Sequence, residues 1–265
     1  EKKAWEKANE LVDDSGLFSL HIIITKYVYF LPVILFLFLL GGGLAAERGK
    51  KATIRFLLTQ PLMESKLFLG KTIHAVTVAM LSSLGIYTLM LLIGAIFNRF
   101  GDWNYPILHY DTWSLANSSE YSGNVSGGYG FHFIPLGEYV IKSIILLLMI
   151  TLFCLVFTNF IAVFLKNILS VFSTSALIIT VGYVMSNQYL TDKAHLSPFI
   201  YLNIPKVING EMATLVDNAN INVISGSLIL LVSSLILTFI GYNILKWKNK
   251  YTSSVVKGKT SELAK

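Results

Sequence analysis

Five long apolar runs, at residues 18–43, 72–98, 139–165, 168–186 and 223–245, constrain this chain more than any other feature. Each offers the roughly 20 residues that a helix needs to cross the hydrocarbon core of a bilayer. Inside lipid an unpartnered backbone group costs several kcal/mol, so a spanning segment is a helix or part of a closed barrel. Barrel strands alternate apolar and polar residues with period two, and these runs do not alternate. Charged residues make up 14% of the chain, against about 25% in a soluble domain. The mean hydropathy is +0.63. The expected fold is therefore an all-α integral membrane protein, a single transmembrane domain over 1–265 with five transmembrane helices.

Charge supplies the orientation. Between Glu47 and Lys71 there are six Lys/Arg and two acids, and residues 246–265 hold six Lys and one Glu. With Lys166, in the turn between the third and fourth runs, these segments carry a net +10, and the rest of the chain carries −4. Lys/Arg-rich loops stay on the cytosolic side. That puts the N-terminus outside and the C-terminus inside. Residues 1–16 become the end of an external loop, 46–71 a cytoplasmic loop, 99–138 and 187–222 external segments, and 246–265 a basic cytoplasmic tail. The positive charge thus reads as topology, and nucleic-acid binding is not expected. The opening segment EKKAWEKANELVDDSG lacks the basic start, apolar core and small-residue cleavage site of a secretory signal. An external start without a signal implies that an earlier span precedes Glu1.

The 46–71 loop has a helical pattern of its own. Arg48, Lys51 and Arg55 recur on one face, and Ile54, Leu57 and Leu58 line another. Pro61 disfavours helical geometry at Gln60 and ends the element. A short amphipathic helix at the membrane surface follows. Binding to anionic headgroups and docking onto a protein partner both fit it. Pro32 in the first run predicts a kink. Gly41 to Gly43 read as helix termination with close packing, or as a hinge.

On the external side, Trp103, Tyr105, Tyr110, Trp113, Tyr121, Tyr129, Phe131 and Phe133 lie among Gly, Ser and Asn. Aromatic side chains favour the membrane interface. A loop lying on the outer surface and a substrate-exit surface are the two readings. Glu138 and Lys142 form an i,i+4 pair in the favourable order. Trp103, Trp113, Glu138 and Lys142 are the candidate outer-surface contacts. In 187–222, Ile204, Val207, Ile208, Met212 and Leu215 are spaced as one face of a short interfacial helix.

Catalytic chemistry is not expected. Leu69–Thr72 resembles the end of a phosphate-binding loop, but Ser65 stands where its first glycine is required. His21, His74, His109, His132 and His195 form no HExxH or comparable metal pair, so no metal site is predicted. Ser170, Ser173 and Ser175 follow the small-residue packing habit of membrane helices. Cys154, the one cysteine, lies within a span and reads as inert packing. No charged residue occupies the centre of a span, and no proton relay is visible. Energy for any transport would come from outside the chain.

Glu47, Gly49, the Leu57–Leu58 pair, Pro61, Ser65, Gly70 and Lys71 together resemble the signature of ABC-2-type transporter permeases. In that family an acidic residue and a glycine precede a Leu-Leu-Thr stretch, then Pro, a Ser-Arg pair and Gly-Lys. Lys50 departs from the usual Thr, and Met63–Glu64 stand where Ser-Arg is expected, with Ser65–Lys66 just after. The resemblance implies six spans, of which this sequence supplies the second to sixth. It implies a cytoplasmic coupling helix docked on a separate ATPase subunit. Arg55 would make the electrostatic contact there, Leu57 or Leu58 would fill the groove, and Glu47, Gly49 and Pro61 would shape the helix and its ends. ATP and Mg would be bound by that partner, with no cofactor in this chain. The partners would be the ATPase, a second permease copy or sister permease, and membrane lipid. The setting would be the plasma membrane of a bacterium, Gram-positive by family and composition. The substrate would be an amphiphile such as an antimicrobial or bacteriocin-like peptide, a drug or a lipid. The competing expectation is a non-transporting receptor, immunity or scaffold protein that binds a ligand through its outer loops.

Overall fold

A computed structural model of the protein describes residues 15–26, 30–48, 63–97, 99–126, 129–188, 190 and 193–262. The chain is mostly helical. Helices α1 (Gly16–Thr25), α2 (Phe30–Leu40) and α3 (Gly43–Arg48) precede α4 (Glu64–Phe97). A sheet follows, of β1 (Pro106–Asp111), β2 (Asn124–Ser126) and β3 (Tyr129–Pro135), with helix α5 (Trp113–Ala116) after β1. Then come α6 (Leu136–Ile161) and α7 (Ile168–Gln188). Two 3-10 turns (Ala194–Leu196 and Pro198–Leu202), α8 (Ile204–Ile208) and α9 (Glu211–Val216) lead to α10 (Val223–Glu262). Among the described residues, five helical stretches are long and apolar enough to cross a membrane: Phe30–Glu47, Glu64–Phe97, Leu136–Ile161, Ile168–Gln188 and Val223–Lys248.

The first expected span is divided. Ser15 caps α1 by accepting a hydrogen bond from the Phe18 amide at 3.4 Å, and α1 ends at Thr25. Pro32 lies on α2. Residues 27–29, between α1 and α2, lie outside the described residues. At the far end of α2, Gly42 has φ of +67°, a conformation that glycine adopts without strain. Its amide donates to Asn159 Oδ1 at 3.1 Å, which fastens the α2–α3 turn to the end of α6. Residues 64–71 of the expected 46–71 loop are helical and continue into the second span as α4.

Helix α6 is the centre of the bundle. It packs against α1, α2, α4, α7, α8 and α10, and most of its surface is buried within the protein. Leu146, Leu147, Ile150, Phe153, Leu155 and Phe157 supply the core, and Phe153 and Phe157 meet Phe199 edge-on. The outer faces of α4, α7 and α10 expose Leu81, Ile96, Leu177, Ile224 and Phe239 instead. Lipid tails are as apolar as these side chains, so packing inside the bundle comes from close contact and small residues. Gly16 and Gly94 provide one such contact. A Cβ on Gly16 would stand 2.7 Å from the Leu91 carbonyl, so α1 and α4 cross there only because the side chains are absent.

The segments between helices separate into two ends. Gly42, Lys71, Asn159, Ile168 and Gly241 lie at one end, so residues flanking all three basic segments gather there. The sheet, the first turn of α1 and residues 193–222 lie at the other. The sheet corrects the all-α expectation. Its order is β1-β3-β2, antiparallel throughout, with Ile107 opposite Ile134, His109 opposite His132 and Asp111 opposite Gly130. Side chains alternate across a strand with period two. Here that sends Ile107, His109 and Asp111 inward and leaves Leu108 and Tyr110 exposed.

The single helix expected across Ile204 to Leu215 is also corrected. Gly210, with φ of +79°, divides it into α8 and α9. Ile204, Val207, Ile208 and Met212 are buried, whereas Leu215 is exposed. These short helices bury their apolar face against the protein. Strand β1 docks on the elbow between them through the Tyr110 amide, which donates to the Asn209 carbonyl at 2.7 Å.

Candidate functional site

At the basic end, four of the residues that carry the sequence resemblance are described. Glu47 lies on α3, and Ser65, Gly70 and Lys71 lie on the first turns of α4. Lys71 Nζ meets Glu47 Oε1 at 2.6 Å, with both side chains mostly buried. The pair ties the end of the first span to the start of the second. It closes the base of the segment between them. Ser65 is fully buried, whereas a Cβ on Gly70 would meet nothing within 4 Å, so packing does not require that glycine. Gly49, Arg55, Leu57, Leu58 and Pro61 lie outside the described residues.

Between α2, α6 and α7 is an open, apolar cavity of about 430 Å³. Val33, Ile34 and Leu37 form one wall, Ile150 and Cys154 the floor, and Ile179 and Tyr183 the other wall. Tyr183 Oη accepts from Asn203 Nδ2 at 3.3 Å at the rim. A cavity of this size and lining fits an acyl chain or an apolar side chain of a larger ligand.

At the sheet end, Trp103 lies over Gly137 and its carbonyl accepts from the Gly137 amide at 3.0 Å. It joins the sheet to α6 while staying partly exposed. Trp113 opens α5 and is exposed. Lys142 Nζ and Glu138 Oε1 are 2.5 Å apart on the exposed surface of α6, so the expected i,i+4 pair forms.

The same end assembles a group that sequence reading missed. His109 and Asp111 share the inward face of β1, and His132 stands directly across from His109 on β3. The two imidazole centroids are 4.7 Å apart. His132 Nδ1 approaches the Asp111 carboxylate at 2.9 and 3.2 Å. Tyr121 Oη donates to Asp111 Oδ2 at 2.7 Å. His109 Nδ1 lies 2.9 Å from the Ile208 carbonyl. A carbonyl only accepts, so His109 Nδ1 carries a proton and the neutral ring keeps its lone pair on Nε2. Burial, then the neighbouring His132, lower the His109 pKa below its ordinary 6.5. The signal in the sequence is His-x-Asp within an alternating apolar stretch, followed later by His between two phenylalanines. It carries meaning only once the strands are paired.

Comparison with known protein families, with curated proteins and with solved structures gives no match.

Proposed function

We propose that this chain is the membrane subunit of an ATP-driven ABC exporter, which couples ATP hydrolysis by a separate subunit to export of an amphiphile. The Glu47–Lys71 ion pair is the observation that carries the reading. It locks together the bases of two spans on either side of the basic amphipathic segment, so a push on that segment moves both spans as one. The gathering of the basic segments at that end supports a cytosolic position for it by the positive-inside rule. The apolar cavity between α2, α6 and α7 suits the hydrophobic part of an amphiphile. ATP and Mg belong to the partner in this reading, and a second copy or a sister permease completes the pathway.

The test is affinity purification from the native membrane in mild detergent, with ATPase assay of the product. A stoichiometric ATPase whose activity depends on this chain is expected. Replacing Arg55 with Glu or Leu58 with Asp should abolish that dependence while the chain still inserts. ATPase stimulation unchanged in both variants would remove docking from this loop.

A receptor or scaffold role has one observation of its own, the folded sheet with Leu108, Tyr110 and Phe133 exposed on its outward face. Recovery of the chain with a non-ATPase partner would put that role first.

A further inference from the structure

We propose that His109, Asp111 and His132 form a binding site for a divalent transition-metal ion of the zinc class. The inference stands on the sheet alone and does not depend on the exporter reading. One ligand atom from each of the three residues lies within 4.8 Å of the other two. Donors around a tetrahedral zinc at about 2.0–2.1 Å are roughly 3.3 Å apart. Small side-chain movements therefore bring this set to coordinating distance, with the strand register unchanged.

Three features make the cluster more than a chance meeting of polar side chains. First, the backbone dictates it. Asp111 follows His109 by two residues on one strand face, and His132 is the cross-strand partner of His109. Second, the groups are oriented by neighbours outside the set. Ile208's carbonyl holds His109, and Tyr121's hydroxyl holds Asp111, whose side chain is almost fully buried. Both partners fix the direction of their ligand, and the carbonyl that accepts from His109 also raises the basicity of that ring. Third, His109 and Asp111 also line a cavity of about 340 Å³ with Lys142 on its wall. Three protein ligands beside an open space match a metal centre that keeps a position for water or an outside ligand. Two imidazoles and one carboxylate favour zinc and its neighbours over calcium or magnesium, which take oxygen donors.

Binding through His132 Nδ1 would replace its contact with Asp111, and the neutral ring would then carry its proton on Nε2. The ion would then join β1 to β3 directly. Through Ile208 and the Gly210 elbow it would also brace the sheet against α8 and α9. Without the ion, the same residues are a hydrogen-bonded His–Asp pair beside a second histidine.

The experiment uses the full chain in detergent, stripped with a chelator and titrated with ZnCl₂ by calorimetry, with metal content measured after dialysis. Wild type is expected to retain one zinc per chain and to show a rise in melting temperature with zinc concentration. His109→Ala and His132→Ala should each weaken binding by at least tenfold, and His74→Ala, on a span, should leave it unchanged. His132→Gln keeps polarity and similar volume and guards against a folding defect. Its far-UV spectrum should match wild type while zinc retention is lost. Cobalt substitution should give the absorption of a tetrahedral site in wild type only. Zinc retention equal in wild type and the His109→Ala/His132→Ala double variant would overturn the proposal. So would the absence of zinc binding by a correctly folded wild-type chain.

Discussion

Gly210 decides where the sheet meets the bundle. Its φ of +79° is strained for any residue with a Cβ, and a Cβ there would collide with the Tyr110 carbonyl. Gly210→Ala should destabilise the sheet–elbow contact by at least about 1 kcal/mol. Faster amide exchange at Tyr110, with α6 unchanged, would report it. His109 supports a second expectation at this scale. Its folded-state pKa lies below the ordinary 6.5. As pH falls past that value the unfolded chain takes up a proton before the folded one does. Stability from this residue is therefore complete above about pH 6.5 and is lost as pH falls toward the folded value. In metal-free protein the melting temperature should fall over that window, and His109→Gln should remove that part of the fall. Asp111 and His132 face His109 in the sheet, and Lys142 faces it from α6, so those groups must be intact in the comparison.

Among elements, the pairing of α3 with α4 is the most informative. Two charges at mostly buried positions hold each other, and removing one leaves the other without compensation. Lys71→Glu should lower the melting temperature and, if the proposed exporter reading holds, reduce stimulation of an ATPase partner. Glu47→Lys alone should do the same, and the double exchange should restore much of both, which a double-mutant cycle would show. A lack of recovery would mean that neighbours outside the pair set its orientation. Helix α4 matters here for its length as well. It contains 34 residues. At a rise of about 1.5 Å per residue it extends about 51 Å. That is well beyond a hydrocarbon core of about 30 Å. One continuous helix therefore carries Lys71, near one end of the bundle, and Gly94, against α1 near the other.

For the whole molecule the testable quantity is sidedness. Cys154 is buried in α6 at the floor of the apolar cavity, so a charged, membrane-impermeant thiol reagent should not reach it in the folded protein. Ser118→Cys, at an exposed position after α5, should label with a membrane-impermeant reagent added outside intact cells. Labelling only after the membrane is opened would invert the orientation. Much of this arrangement is legible from the chain itself. Span number, the Glu138–Lys142 pair and the gathering of basic segments at one end depend on runs of neighbouring residues and on alternation of direction. Hydropathy reports both. The end of α1 at Thr25, inside the first apolar run, is not legible, because the sequence shows which residue disfavours a helix but not where neighbouring elements stop it. The sheet is unreadable for a related reason. Its strands are short and Gly-rich around the turn, and their aromatic residues serve equally well at a membrane surface.

By itself, then, the sequence determined that this chain lives in a membrane, carries five apolar stretches fit to cross it and segregates its positive charge. Those properties follow from local composition, because each helix satisfies its own backbone and only needs to match the solvent around it. Tertiary structure alone decided the rest: the antiparallel sheet, the elbow at Gly210, the joining of Glu47 to Lys71 and the meeting of His109, Asp111 and His132. Each of these sets distant residues side by side. The free energy of such a contact depends on register and on a third element behind it, and no window along the chain contains that information.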